Sequence, residues 1–187
     1  MQIKELDISG VYLVETEAFQ DNRGIFFEWF RKDILFENTK IDFTPVQANL
    51  SVSKINTIRG IHFSLSQFGQ SKLVTCPKGA IWDVVVDIRP NSPTFKKWIS
   101  IELNAESGYA ILVSGKLGHS FFTLKDESVV TYILDSYYDS NTEYSINPLD
   151  SELSIAWPTG APLLSNRDRF APTLNELLVN NKLPLDN

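Results

Sequence analysis

The chain has two histidines, His62 and His119, and each sits where an imidazole could move a proton. His62 lies in Ile58-Arg59-Gly60-Ile61-His62-Phe63, an alternating run that places Gly60 and His62 on one face and Ile61 and Phe63 on the other. Arg59 directly precedes the glycine, so a cation and an imidazole project from neighbouring strand positions. An unperturbed imidazole titrates at about 6.5, close enough to neutrality for general acid–base work. A surface histidine beside a structural glycine fits the same residues. His119 follows Ser114-Gly115-Lys116-Leu117-Gly118 and leads into Ser120-Phe121-Phe122, and taken alone it reads better as a turn histidine.

Histidines in a strand-rich chain also serve metals, but three or four ligands must then converge on one ion. His62 is followed by Phe63-Ser64, with no histidine at the next in-phase position, and the chain has one cysteine, Cys76. That set is too sparse, so a functional metal is not expected. Polar residues on strands are more telling. Gln47, Asn49 and Ser51 share one face, and amides turned into a barrel need hydrogen-bond partners that a polar ligand supplies. The competing reading turns that face to solvent. Lys72 heads the apolar Leu73-Val74 run, and Tyr132 falls within Val129–Leu134, where a tyrosine is more often core than catalytic. Taken together, Arg23, Arg59 and Lys72 would meet an anion, a histidine would transfer a proton, and a tyrosine would stand opposite.

The elements that must position these groups are mostly strands. Runs at Val11–Glu15, Ile25–Phe30, Gln47–Ser53, Thr57–Phe63, Ser71–Cys76, Ile81–Ile88, Trp98–Leu103, Tyr109–Val113, Ser120–Leu124 and Val129–Leu134 are split by turn residues. Asp21-Asn22-Arg23-Gly24 reads as the turn between the first two. Trp82–Ile88 is apolar on both faces in its middle, as in a strand covered on two sides. Helical signals are few: Arg31–Glu37, and a C-terminal segment in which Thr173 caps and Glu176 completes a capping box before Leu177-Leu178-Val179. Many short strands with little helix predict a mainly β sandwich or barrel, a cupin-type jelly roll if they pair across two sheets.

With 187 residues and no linker or repeat, a single domain spanning 1–187 is expected. A net charge of −6 argues against a broad basic face for nucleic acid, although a few converging cations can still hold a small anion. The lone cysteine, the absence of a signal-like apolar run and the absence of a membrane-length segment make the cytoplasm the default expectation, with no membrane partner.

A further set of segments is more specific. These are Phe19-x-Asp21-x-Arg23-Gly24-x-Phe26-x-Glu28, Gln47-x-Asn49-x-Ser51, Arg59-Gly60-Ile61-His62 and Gln70-x-Lys72-Leu73-Val74. They continue with Asp83-Val84-x-Val86-Asp87-Ile88-Arg89, Ser92-Pro93-Thr94-Phe95, Gly118-His119-x-Phe121, Ile155-Ala156-Trp157-Pro158 and Leu164-Ser165-x-Arg167-Asp168. In this order, over roughly residues 10–170, the chain resembles the dTDP-4-dehydrorhamnose 3,5-epimerase family of deoxysugar biosynthesis. The resemblance implies a cupin-type jelly roll, a homodimer, a nucleotide-sugar substrate and no metal or organic cofactor. It places the family's base on His62, its orienting carboxylate on Asp168 and its proton donor on Tyr132. Lys72 falls on the residue near the 4-keto oxygen, His119 on another substrate contact, and Arg23 and Arg59 on pyrophosphate contacts. Glu28, Gln47, Asn49, Tyr138, Glu143 and Arg167 fall on further substrate-binding positions.

That chemistry accounts for the residue types. A 4-keto group acidifies the C–H bonds at C3 and C5 because the carbanion delocalises into an enolate. Inversion then takes a base on one face of the sugar and an acid on the other, with a lysine to hold the enolate oxygen. The sequence also departs from the family's commonest pattern. His62-Phe63-Ser64 stands where His-Tyr-Gln is frequent, Asn147-Pro148-Leu149-Asp150 where Trp-Asn-Asp-Pro is usual, and Ser114-Gly115-Lys116-Leu117 where Pro-x-Gly-Phe is typical. In these places the chain resembles branches that make unusual sugars for secondary metabolites or surface glycans, some of which invert only C3 or only C5. A single-position epimerase is therefore the rival enzyme, a non-catalytic sugar-binding cupin module is the rival of another class, and a metal-dependent cupin oxygenase stands third.

Overall fold

The computed structural model describes residues 1–185. Its strands are β1 (Gln2–Glu5), β2 (Val11–Glu15), β3 (Ala18–Asp21), β4 (Gly24–Phe27), β5 (Gln47–Ser53), β6 (Ile58–Ser64), β7 (Lys72–Lys78), β8 (Ala80–Val86), β9 (Trp98–Asn104), β10 (Ala110–Val113), β11 (Gly118–Thr123), β12 (Ser128–Leu134) and β13 (Glu143–Ser145). The helices are α1 (Lys32–Thr39), α2 (Asn166–Arg169) and α3 (Leu174–Val179). A six-stranded sheet runs β1-β2-β10-β7-β12-β5 and a five-stranded sheet runs β13-β6-β11-β8-β9, with every pairing antiparallel.

The two sheets enclose a core to which both contribute: Val11, Val74, Ile111 and Val130 from the first, Ile81, Val85, Leu103 and Phe121 from the second. Each sheet is also covered outside. Leu35 of α1 and Phe43 pack on Val14, Leu73 and Leu112. On the five-stranded sheet, Ile146, Leu153, Ile155, Leu174 and Leu177 pack on Ile61, Phe63, Val84 and Val86. This double covering explains why β8 is apolar on both faces. Ile81 and Val85 look inward, whereas Val84 and Val86 look out onto the C-terminal segment. The expected jelly roll is therefore observed, and α3 carries the expected capping box between Thr173 and Glu176.

Three local features differ from the expected pattern. The turn around Asn22 does not join β2 to the next strand. It joins β3 to β4 in a separate two-stranded sheet in which Phe19 and Phe26 pair across the hairpin and remain exposed. The strand expected over Ile25–Phe30 accordingly ends at Phe27. The third is a register shift between β6 and β11. His119 pairs with His62, but Phe121 pairs with Arg59, so β6 holds one extra residue. Strict alternation would set Arg59 with Ile61 and Phe63 on the outer face. The bulge instead turns Arg59 inward beside His62, because His119 and Phe121 share a face.

Beyond β8 the chain is tied back by a buried carboxylate. Asp87 accepts hydrogen bonds from Arg89 (2.8 Å), Ser92 (2.5 Å) and Thr94 (2.5 Å), fixing the loop into β9. Burial alone would raise its pKa, but these donors outweigh it and pull the carboxyl down to about 2.

Candidate active site

Inward-facing polar residues from both sheets surround a cavity of about 450 Å³. The five-stranded sheet contributes Arg59 and His62 from β6 and His119 from β11, and the six-stranded sheet contributes Ser51 from β5, Lys72 from β7 and Tyr132 from β12. Arg167 and Asp168 of α2 complete the wall, with Leu163, Leu164 and Ser165 leading into them. The histidines and the Tyr132–Lys72 pair thus approach the cavity from opposite sheets.

His62 Nε2 lies 2.7 Å from Asp168 Oδ1. Asp168 is itself fixed by Ser165, the N-cap of α2, whose hydroxyl donates to Oδ2 at 2.9 Å and accepts from the Asp168 backbone N–H at 3.1 Å. Burial on its own would raise the Asp168 pKa, yet the hydrogen bonds from His62, Ser165 and the Gly60 N–H together hold it below the usual carboxylate value. An ionised, immobilised carboxylate on Nε2 leaves Nδ1 as the reactive nitrogen, the arrangement expected of an oriented general base.

Lys72 is buried, and burial pushes its pKa down against the pull of Glu143, Asp83 and Asp135. Glu143 on β13 is pushed the other way by burial, opposed by Lys72, His62 and Arg167. Arg167 is steered by a hydrogen bond from its Nε to Ser145 Oγ at 2.8 Å, and Arg59 by one to Ser53 Oγ at 2.9 Å. His119 Nε2 lies 2.8 Å from the buried Asp83.

The polar face of β5 looks inward: Asn49 stands opposite Tyr132 and Ser51 opposite the buried Val130, while Leu50 and Val52 face out. Gln47 and Asn49 bond to each other at 3.1 Å, and Gln47 also accepts from the backbone N–H of Tyr138. Neither they nor Tyr138 and Glu143 line the cavity. Arg23, at the tip of the exposed hairpin, bonds to Asp21, and Glu28 lies 3.6 Å from Arg31; both stand away from the cavity. Sequence reasoning did not find Ser165, Ser145, Ser53 or Asp83 as supporting residues. Ser165-x-x-Asp168 carried an N-cap signal, and Asp83 stood out as a carboxylate in an apolar run. Among the described residues, no group of three or more His, Cys, Asp or Glu is arranged to hold a metal ion. No helix among them is long and apolar enough to cross a membrane.

A model of the family described as dTDP-4-dehydrorhamnose 3,5-epimerase matches residues 5–176. The chain belongs to that family. The epimerase is 43% identical to a dTDP-4-dehydrorhamnose 3-epimerase of Streptomyces niveus, over 94% of this chain and 85% of that protein. It is 40% identical to a dTDP-4-dehydrorhamnose 3,5-epimerase of Streptomyces griseus, covering 97% and 91% respectively. Its fold superposes with a TM-score of 0.93 and 40% identity on a 3'-monoepimerase from Streptomyces bikiniensis in complex with dTDP-quinovose, covering 96% of this chain and 91% of that one. The protein is therefore an isomerase of the dTDP-sugar epimerase kind, built as the jelly roll of its structural neighbours.

Proposed function

We propose that the epimerase acts on a dTDP-linked 4-keto-6-deoxyhexose, with His62 removing the proton beside the ketone and Tyr132 returning one to the opposite face. The observation that carries this reading is the placement of an Asp168-oriented imidazole on one sheet and Tyr132 with Lys72 on the sheet facing it, around one cavity. A sugar ring lying between the sheets then presents one face to the base and the other to the phenol. Lys72, whose pKa burial lowers, supplies a strong donor for the oxygen that becomes an enolate, a preorganised interaction whose loss typically costs about 10²–10³-fold in rate. Arg59 and Arg167 supply positive charge at the cavity wall for a diphosphate. A non-catalytic sugar-binding module would need no such acid–base set. The neighbour's bound dTDP-quinovose supports a nucleotide sugar as the ligand class.

The test is NMR of the 4-keto sugar nucleotide incubated with the protein in D₂O. Exchange at C3 and C5 is read separately, and so is inversion. The wild type exchanges and inverts at C3, at C5 or at both, which separates a 3,5-epimerase from the single-position enzyme among its relatives. The Tyr132→Phe variant, with the base intact, exchanges hydrogen while accumulating little inverted sugar. Inversion by that variant at the wild-type rate removes Tyr132 from the acid role. Equal loss of exchange and inversion makes it a positioning group instead.

The assembly we propose is a homodimer of one-domain chains. Edge strand β5 turns Leu50 and Val52 outward, and the β3–β4 hairpin exposes Phe19, Ile25 and Phe26, an apolar surface suited to a second copy. In such a dimer Arg23 and Glu28, held away from their own cavity, are available to the partner's. Light scattering on the purified protein, giving twice the chain mass, is the check.

A further inference from the structure

The cavity holds a second imidazole–carboxylate pair to which the proposed proton transfer gives no role. His119 stands directly opposite His62 on the neighbouring strand, and each offers Nε2 to an aspartate, at 2.8 and 2.7 Å. Among the described residues, Nδ1 of neither ring has a hydrogen-bond partner, and both rings line the cavity. The carboxylates come from different places. Asp168 belongs to a helix, whereas Asp83 sits on the inner face of β8 between Ile81 and Val85 and is fully buried. Asp83 Oδ1 is also buried and has no hydrogen-bond partner.

A buried carboxylate with an unpaired oxygen is costly, and a purely structural tie would not need one. β8 and β11 are already joined by a continuous ladder from Gly118–Val86 to Thr123–Ile81, so a side-chain link between Asp83 and His119 adds little to that pairing. What it does add is a fixed ring. A carboxylate can only accept, so it keeps the proton on Nε2 and leaves Nδ1 as the nitrogen presented to the cavity. The same logic governs His62, one strand away.

We propose that Asp83 is a positioning residue of this enzyme, holding His119 in a single tautomer and orientation so that Nδ1 addresses an oxygen of the bound sugar. Asp83 itself touches no substrate and acts through His119. The inference rests on the epimerase reading above for what fills the cavity.

The presence of two histidines makes the test direct. In ¹H–¹⁵N correlation spectra of the labelled full-length protein, the His62→Asn variant leaves His119 as the one ring to assign. Nε2 of His119 is expected to carry a proton, and an unprotonated Nε2 overturns the proposal whatever the catalytic result. In kinetics, Asp83→Ala is expected to lower kcat about 10- to 100-fold, the range for partners that orient a functional histidine, with KM changed less than about threefold. Asp83→Asn keeps an acceptor for Nε2 and is expected to recover most of that loss. It also carries the kinetic test if Asp83→Ala fails to fold. In a His119→Gln background the Asp83 substitutions are expected to cost less than about twofold more. Fully additive losses, or Asp83→Asn as impaired as Asp83→Ala, overturn the proposal. Should the wild type exchange no hydrogen with a 4-keto sugar nucleotide, the epimerase reading fails instead, and the ring spectra still decide whether Asp83 fixes His119.

Discussion

Gly60 is the position where the smallest perturbation should do the most damage. Its φ is +116°, and a Cβ built there would come within 2.5 Å of the His119 carbonyl oxygen and 2.9 Å of Ser120 Cα. Both neighbours are strand backbone, so neither can rotate away. Holding a non-glycine residue in such a conformation costs about 1–3 kcal/mol, and forcing the strands apart adds about 1–3 kcal/mol of overpacking. Gly60→Ala should therefore destabilise by about 2–6 kcal/mol. For a chain of this length that is a melting-temperature loss of roughly 4–24 °C, at about 2–4 °C per kcal/mol. Activity should fall further than stability, because the strands being separated carry His62 and His119, and the Gly60 N–H helps hold Asp168. Gly24→Ala is the control. Gly24 has φ +134° but nothing within 4 Å of its would-be Cβ, so only the backbone cost applies, and it falls on a hairpin outside the two main sheets. Thermal unfolding followed by tryptophan fluorescence and turnover at a temperature where both variants are folded give the comparison. If Gly60→Ala melts within about 2 °C of Gly24→Ala and retains full turnover, the close approach of β6 to β11 does not matter as described.

Three other outcomes are expected. His62→Asn should abolish turnover while far-UV circular dichroism stays unchanged, and retention of a tenth of wild-type activity in folded protein would remove it as the base. Asp87, with its carboxyl pulled to about 2 from an ordinary 3.8, contributes stability that is complete above about pH 4 and disappears as pH falls through 2. The shift is worth about 2 kcal/mol. The stability gap between wild type and Asp87→Asn in urea melts should thus narrow by about that much from pH 6 to pH 2, and a pH-independent gap would contradict the assignment. Turnover should survive prolonged EDTA treatment with no stoichiometric metal by elemental analysis, and a chelator-sensitive activity restored by one divalent ion would count against it.

The strands were legible because alternation is a local signal. β5 falls on Gln47–Ser53 as its period demands, and its polar face did turn inward. The capping box of α3 was equally local. What escaped was set by packing. β13 is three residues long and exists because Ser145 pairs with His62, and α2 is a single turn that no periodicity reveals. The inward turn of Arg59 depends on a bulge that appears only once β11 is laid beside β6. Asp83 and Ser145 steer the site as short polar residues whose partners, His119 and Arg167, lie 36 and 22 residues away, whereas Ser165 holds Asp168 from within the same single-turn cap. Arg23 and Glu28 mark the opposite limit: their motif is plain in the sequence, yet the fold of one chain carries them away from the cavity.

The bond between His62 and Asp168 spans 106 residues of chain, and the helix bearing Asp168 belongs to the segment that closes over the outside of the five-stranded sheet. During synthesis, both sheets can emerge and pair before that segment leaves the ribosome. Competence is thus conferred last, by docking of the final stretch rather than by closure of the barrel. A chain halted before α2 would contain every strand and yet lack one wall of the cavity and hold an unaimed imidazole. In refolding, recovery of turnover would track the arrival of the C-terminal segment, and tryptophan fluorescence would report the same docking, because Trp82 packs on Trp157 and Trp98 donates to the Leu153 carbonyl of that segment.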